Sequence, residues 1–268
     1  LDGLPGAEHE LTLAKNLGVV LAVRDSLPAR ESAIVTRWVV EMTRGMAIYT
    51  RRPRGGDGFT APHTVADLER YCYFVAGTVG HMLTDLFVAH LDGGPAFEAA
   101  LRTNAESFGI GLQLVNILKD VADDAERKAS FVPRALISEA ALTHDMLLSP
   151  ERRARAHDVV APLFDLARTH LDRALDYVVA IPADAVRVRL FCLIPLFMAA
   201  RTLVLARGGD AMFERGEPVK IDRAEVEALA TECFERAGDD TWLRARYQTL
   251  WTSRAGKSDT RQTTMGAR

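Results

Sequence analysis

Apolar positions recur at three- and four-residue intervals along most of this chain, and no stretch of sustained two-residue alternation interrupts them. That period predicts helices over 9–26, 29–50, 64–91, 95–124, 137–145, 150–180, 183–206 and 223–248. Several starts carry their own signals. Thr64 followed by Asp67 is a capping-box pattern. Ser149, Pro150 and Glu151 read as an N-cap, a first-turn proline and an early acid. Pro182 and Asp184 punctuate the next start. Residues 51–63 (RRPRGGDGFTAPH) hold three glycines and two prolines, which cannot continue a helix, so this is a loop. Long helices with short connections predict an all-α bundle around a central space.

One helix carries a polar ridge where the pattern calls for core. In GIGLQLVNILKDVADDAERKASFVP (Gly109 to Pro133), Gln113, Asn116, Asp120 and Asp124 fall within about 80° of arc, at about 100° per residue. Leu112, Leu114, Val115, Ile117 and Leu118 cover much of the remaining circumference. A buried carboxylate without a partner is costly, and two on one face repel. A divalent cation relieves both, and Mg2+ keeps several waters and needs few protein carboxylates. A solvated face with surface ion pairs is the commoner meaning of a bare D-x-x-x-D; Gln113 and Asn116 among leucines count against it here. Arg127 and Lys128 can close over a phosphate or simply cap the helix dipole.

Composition narrows the classes. The chain has 268 residues, 48% hydrophobic and 26% charged, enough for one large core. A formal net charge of -3 argues against a mainly electrostatic nucleic-acid binder. Cys72, Cys192 and Cys233 have no paired or metal-like spacing, so a reduced, cytoplasmic chain is expected. The most apolar run, Leu190 to Ala200, is bracketed by Arg189 and Arg201 and is too short to span a bilayer. The expected organisation is one helical domain over 1–251 and a polar, disordered tail over 252–268.

Two further helices carry candidate chemistry. Tyr71, Val75, Thr78 and Met82 share about 60° of arc on an ideal helix, placing one phenol at the end of an apolar stripe. A core tyrosine with a satisfied hydroxyl gives the same pattern. Phe191 and Pro195 stand four apart, either as a packing kink or as an aromatic wall able to stabilise a cation. Met46 fits a cavity wall and core packing equally.

The acidic helix resembles the second aspartate-rich motif of the squalene and phytoene synthases, the head-to-head prenyl transferases. Gln113, Asn116, Asp120, Asp124 and Pro133 match its Q-x-x-N-x-x-x-D-x-x-x-D pattern and following proline in register. RYCYFVAGTVGHMLTDLF (Arg70 to Phe87) is similar to the family's Y-C-x-x-V-A-G-x-V-G helix, LFCLIPLFMA (Leu190 to Ala199) to its F-C-x-I-P helix, and Val219-Lys220-Ile221 to a later V-K-I segment. The last two lean toward squalene synthase.

The resemblance implies an isoprenoid-synthase-type helical domain with a deep cavity. In that family, Mg2+ and two diphosphates sit at the cavity mouth. Two farnesyl diphosphates condense to a cyclopropylcarbinyl diphosphate (presqualene diphosphate), which squalene synthases reduce with NADPH. Phytoene-type enzymes take geranylgeranyl diphosphate and deliver no hydride, and dehydrosqualene synthases likewise omit the reduction. A non-catalytic binder of prenyl diphosphates is the reading from outside the enzymes. The roles carried over are acid/base for Tyr71; Mg2+ for Asp120 and Asp124; substrate for Gln113, Asn116, Val75, Val79, Met46, Phe191 and Pro195; and NADPH for Lys119, Lys220 and Asn116. Lipid substrates imply peripheral membrane contact. Two departures bear on NADPH: Lys119 stands where the family has arginine, and Asp222 separates Val219-Lys220-Ile221 from Arg223. The family's first aspartate motif is expected upstream of residue 1, since Asp2, Glu8 and Glu10 lie in a glycine- and proline-containing stretch unsuited to one helical face. These residues alone are then expected to bind diphosphate weakly, without condensation.

Overall fold

Pro28 and Pro133 each stand immediately before a helix, where a fixed φ and a missing N–H do no harm. The computed structural model describes residues 8–216 and 218–252. The helices are α1 (Glu8–Lys15), α2 (Leu17–Asp25), α3 (Ala29–Thr50), α4 (Val65–Cys72), α5 (Thr78–His90) and α6 (Gly94–Lys119). They continue with α7 (Val121–Glu126), α8 (Arg134–Glu139), α9 (Arg153–Ala180), α10 (Val186–Gly208), α11 (Arg223–Arg236) and α12 (Asp240–Thr252). A π-helical turn, Tyr73–Gly77, joins α4 to α5. Among the described residues there is no strand, only an isolated bridge between Thr60 and Ala129. The expected all-helical, single-domain fold is the one observed. Asp2 and residues 253–268 of the expected tail lie outside the described residues, and Thr252 closes α12.

Where the expected helices differ from the observed ones, a local bond explains the break. Asn16 separates α1 from α2, its side-chain amide donating to Thr12 O at 2.9 Å beside its own backbone N–H at 3.1 Å. α1 begins at Glu8, so Glu8 and Glu10 are helical after all. Thr64 Oγ1 accepts from Asp67 N at 3.2 Å as the capping pattern requires. Ser149 makes no side-chain cap; a 3-10 turn, Pro150–Arg152, precedes α9 instead. The expected 137–145 helix starts at Arg134, behind Pro133, and ends early because Ala141 turns left-handed at φ 49°. The expected 223–248 helix is two, since Asp239 Oδ1 accepts from Trp242 N at 2.9 Å and starts α12 afresh.

The core centres on α6 and α9, with α5 and the π turn on one flank of α6 and α10 behind. On the first flank the backbones touch. A Cβ on Gly80 would lie 2.0 Å from Ala105 O, and one on Gly109 2.1 Å from Ala76 O. Only glycine permits this approach. Deeper in, the Thr84 and Tyr177 hydroxyls share a hydrogen bond of 2.9 Å, tying α5 to α9.

Val65–His90 and Val186–Gly208 are each long and apolar enough to cross a membrane, longer than the apolar run alone suggested. α10 nonetheless packs as a core helix. Arg189, 1% exposed, donates to the carbonyls of Ile181, Ala237 and Val179 at 2.7, 3.0 and 3.1 Å and pairs with Asp240 at 2.6 Å. Arg201, also buried, reaches Glu225. Buried arginines with carbonyl and carboxylate partners are features of a protein interior.

Candidate active site

α6 buries Leu114, Val115, Ile117 and Leu118, leaves Gln113 half-buried and exposes Asn116. It ends at Asp120, whose backbone leaves the helical region at φ -110° and ψ 19°. The one-turn spacing survives this break. Asp120 N donates to Asn116 O at 3.2 Å and Asp124 N to Asp120 O at 2.9 Å, so Asn116, Asp120 and Asp124 remain successive rungs of one ladder. Asp120, its side chain 35% exposed, pairs with Lys119 Nζ at 2.5 Å. Asp124 is buried and pairs with Arg127 at 2.6 Å. Burial pushes its carboxyl up, Arg127 offsets this only in part, and Asp120 and Asp123 add repulsion.

A buried carboxylate left with excess negative field, one turn from another, fits a cation. Among the described residues no three Asp, Glu, His or Cys side chains are arranged to hold a metal. Asp120 and Asp124 could therefore supply only two protein ligands to a cation on this face, the rest of its shell coming from waters or ligand oxygens.

Tyr71 stands beside this face. Its ring stacks on Phe131 at 4.8 Å and meets Tyr49 edge-on at 5.1 Å. Burial pushes its hydroxyl up to about 12, with smaller contributions from Cys72 and Asp124. The phenol is thus a firmly protonated donor near Asp124. It lines a cavity of about 280 Å³ with Met46, Tyr49, Arg52 and Phe131 among the walls. Arg52 is held there by both Asp67 oxygens, at 2.6 and 2.9 Å. Its hydrogen bonds, working against burial and helped by the His63 N–H, bring the Asp67 carboxyl down to about 2. So Met46 and Tyr71 do share a cavity, and Tyr49, Arg52 and Phe131 are additions the sequence did not single out.

The squalene/phytoene synthase family profile matches residues 8–225. The chain is a member of the squalene/phytoene synthase family. It is 32% identical over 199 residues to a probable squalene synthase of Neurospora crassa, covering 74% of this chain and 40% of that protein. It is 29% identical over 219 residues to the squalene synthase of Schizosaccharomyces pombe, covering 82% and 46%. The chain thus spans less than half the length of these curated relatives. Its fold is similar to that of TcSQS bound to the ligand E5700, with a TM-score of 0.80, 23% identity and coverage of 95% and 71%. It is also similar to a dehydrosqualene synthase in complex with a ligand, at 0.54, 19%, 88% and 95%.

Within this chain the remaining candidates scatter. Val75 and Val79 are half-buried, one in the π turn and one in α5. The π turn interrupts the ideal-helix stripe from Tyr71 to Met82, and Thr78 is fully buried, with its hydroxyl donating to Phe74 O. Phe191, 57% exposed, and Pro195 lie on the open side of α10 and do not line the cavity beside Tyr71. Lys119 is occupied by Asp120. Lys220 is exposed, on the segment whose Arg215 stands 4.0 Å from Glu126 of α7. Asp222 caps α11 by accepting from Glu225 N at 2.8 Å.

Proposed function

We propose that this protein is a prenyltransferase that joins two farnesyl diphosphates head to head through presqualene diphosphate and forms squalene with NADPH. The observation that carries the reading is the Asn116–Asp120–Asp124 ladder beside a protonated, ring-stacked Tyr71. Asp120 and Asp124 would hold Mg2+, with Gln113 and Asn116 flanking the diphosphate. Mg2+, when bound, neutralises charge on the departing diphosphate. Tyr71 begins as a hydrogen-bond donor toward a diphosphate oxygen, and its proton can follow the charge as that group leaves. Val75, Val79 and Met46 offer apolar surface to the prenyl chains, as would Phe191 and Pro195 once covered. Lys119 and Lys220 would meet NADPH phosphates, with Asn116 beside them.

A second reading, condensation without reduction on farnesyl or geranylgeranyl diphosphate, is favoured by the 2.5 Å pair that occupies Lys119 with Asp120. Products from labelled farnesyl diphosphate and Mg2+, made by the complete gene product with and without NADPH, separate the two. Squalene only with NADPH supports the first; one product regardless of NADPH supports the second; no Mg2+-dependent binding contradicts both. A cytoplasmic setting accords with three free, buried cysteines. The exposed Leu17, Val19, Val20, Leu21 and Val23 of α2 support peripheral membrane contact.

In the complete gene product, Tyr71→Phe is expected to leave the melting temperature within about 2 °C and lower cyclopropylcarbinyl diphosphate formation by about a hundredfold, the scale of one general acid–base group. A lower melting temperature with normal turnover would assign Tyr71 to the core instead.

A further inference from the structure

Three stretches with almost no helix meet around the bridge between Thr60 and Ala129: the glycine-rich loop 51–63, the strip 127–133 after α7, and the turn bearing His144. They are joined by side chains that the reaction above does not use. Asp57 Oδ1 accepts from Arg134 Nη1 at 3.0 Å, and Oδ2 lies 2.5 Å from His144 Nδ1. Arg134 Nη2 reaches on to Phe59 O at 2.6 Å, and His144 Nε2 faces Val132 O at 3.0 Å. His144 is 2% exposed, and its two ring nitrogens face Asp57 Oδ2 and Val132 O. Burial works against the Asp57 carboxylate, yet the bonds from His144, Arg134 and the Phe59 N–H bring it down to about 2.

This trio bolts the loop to the strip. The strip pairs with the loop through Thr60 N to Lys128 O at 3.0 Å and Ser130 N to Thr60 O at 2.9 Å. Phe59, fully buried, stacks on His144 at 5.3 Å and has Lys128 Nζ over its ring at 4.7 Å. Lys128 takes φ 55°, which reverses the chain just after the acidic turn. The strip's near end is tied to the site by Ala129 N donating to Asp124 O at 3.1 Å, and its far end carries Phe131 onto the Tyr71 ring.

We infer that Asp57 and His144 are positioning residues: with Arg134 they clamp the strip 128–132 to the glycine-rich loop and so set where Phe131 stands against Tyr71 and Asp124. The consequence for substrate rests on the proposed function. The clamp itself does not. The geometry favours this over simple loop stabilisation because His144 bridges Asp57 of the loop to Val132 of the strip, and the same strip meets Asp124 through Ala129 N and Tyr71 through Phe131. A half-buried carboxylate gripped by both Arg134 and His144 holds the two in place, and removing it strands both.

The test compares the wild-type chain with Asp57→Asn by amide hydrogen exchange and by the NMR shifts of the Tyr71 ring protons. Exchange at Thr60 and Ser130 is expected to rise about tenfold or more, the scale of one lost charged hydrogen bond, while α9 and α10 amides stay protected. The Tyr71 ring shifts should move as Phe131 leaves its stack, and Mg2+-dependent affinity for farnesyl diphosphate should fall in parallel. If Asp57→Asn does not fold, Arg134→Lys, which keeps the charge but loses the two-pronged reach, takes its place with the same readouts. Unchanged exchange at Thr60 and Ser130, or a rise shared by the whole chain, overturns the clamp. Local opening with unmoved Tyr71 shifts overturns the positioning role. If the wild-type chain shows no Mg2+-dependent binding, the functional reading fails, while exchange and ring shifts still decide the clamp.

Discussion

Gly109→Ala is expected to destabilise the fold by about 3 kcal/mol or more, at the upper end of overpacking costs. For a chain of this size that lowers the melting temperature by roughly 10 °C. The added Cβ would stand 2.1 Å from Ala76 O and 2.8 Å from Gly77 N. Those are backbone atoms of the π turn, so no rotamer change relieves the clash. Gly80 makes the reciprocal contact with Ala105 O, and Gly80→Ala should behave alike. The crossing also has a consequence for the site, because Tyr71 lies two residues before the π turn and α6 runs into the acidic ladder at Asn116 and Asp120; even a partly folded variant should lose their alignment. Gly18→Ala is the control: nothing lies within 4 Å of its added Cβ, and in the exposed helix α2 alanine should gain up to about 1 kcal/mol. Equal denaturation midpoints for wild type and Gly109→Ala would refute the backbone contact.

Asp124→Asn should do the opposite to stability and still disable the site. Folding raises this carboxyl above its ordinary value of 3.8, chiefly through burial, so the folded state favours the protonated form. The stability it contributes is present below the ordinary carboxylate range and is lost as pH rises through the raised value. At neutral pH the ionised group is therefore a cost, and Arg127, with a side chain 72% exposed, offsets only part of it. The asparagine variant should melt at or above the wild-type temperature at pH 7 and show no such gain at pH 3. Its Mg2+-dependent affinity for farnesyl diphosphate should drop by about a hundredfold or more, the scale of losing a buried charge partner. Added Mg2+ and diphosphate should then raise the wild-type melting temperature and leave the variant unmoved. A destabilised variant that binds normally would make Asp124 a structural member of the Arg127 ion pair.

Much of this could be read from the pattern of apolar positions, and the failures share a cause. α3 matches its expected span because Pro28 and an uninterrupted period mark it. The acidic face survived a helix break that the period could not reveal, because the Asn116–Asp120–Asp124 hydrogen bonds bridge it. The stripe from Tyr71 to Met82 did not survive unaltered, because the π turn at Tyr73–Gly77 adds a residue to the register and leaves no trace in hydrophobic spacing. Loop 51–63 was legible only as a loop. Its pairing with the strip 127–133, and the Asp57–His144 bond across 87 residues, depend on tertiary contacts that periodicity does not encode. The family motifs located Tyr71, Asp120 and Asp124 in sequence. Only the fold shows Tyr71 pressed between Tyr49 and Phe131.

The central claim is that one face of α6 and α7 takes a diphosphate through a divalent cation. Calorimetric titration of the chain with farnesyl diphosphate, in Mg2+ and again in EDTA, tests it most directly. The account predicts saturable binding in Mg2+ that disappears in EDTA and in Asp120→Ala. Equal binding in EDTA, or in Asp120→Ala with Mg2+ present, would contradict it.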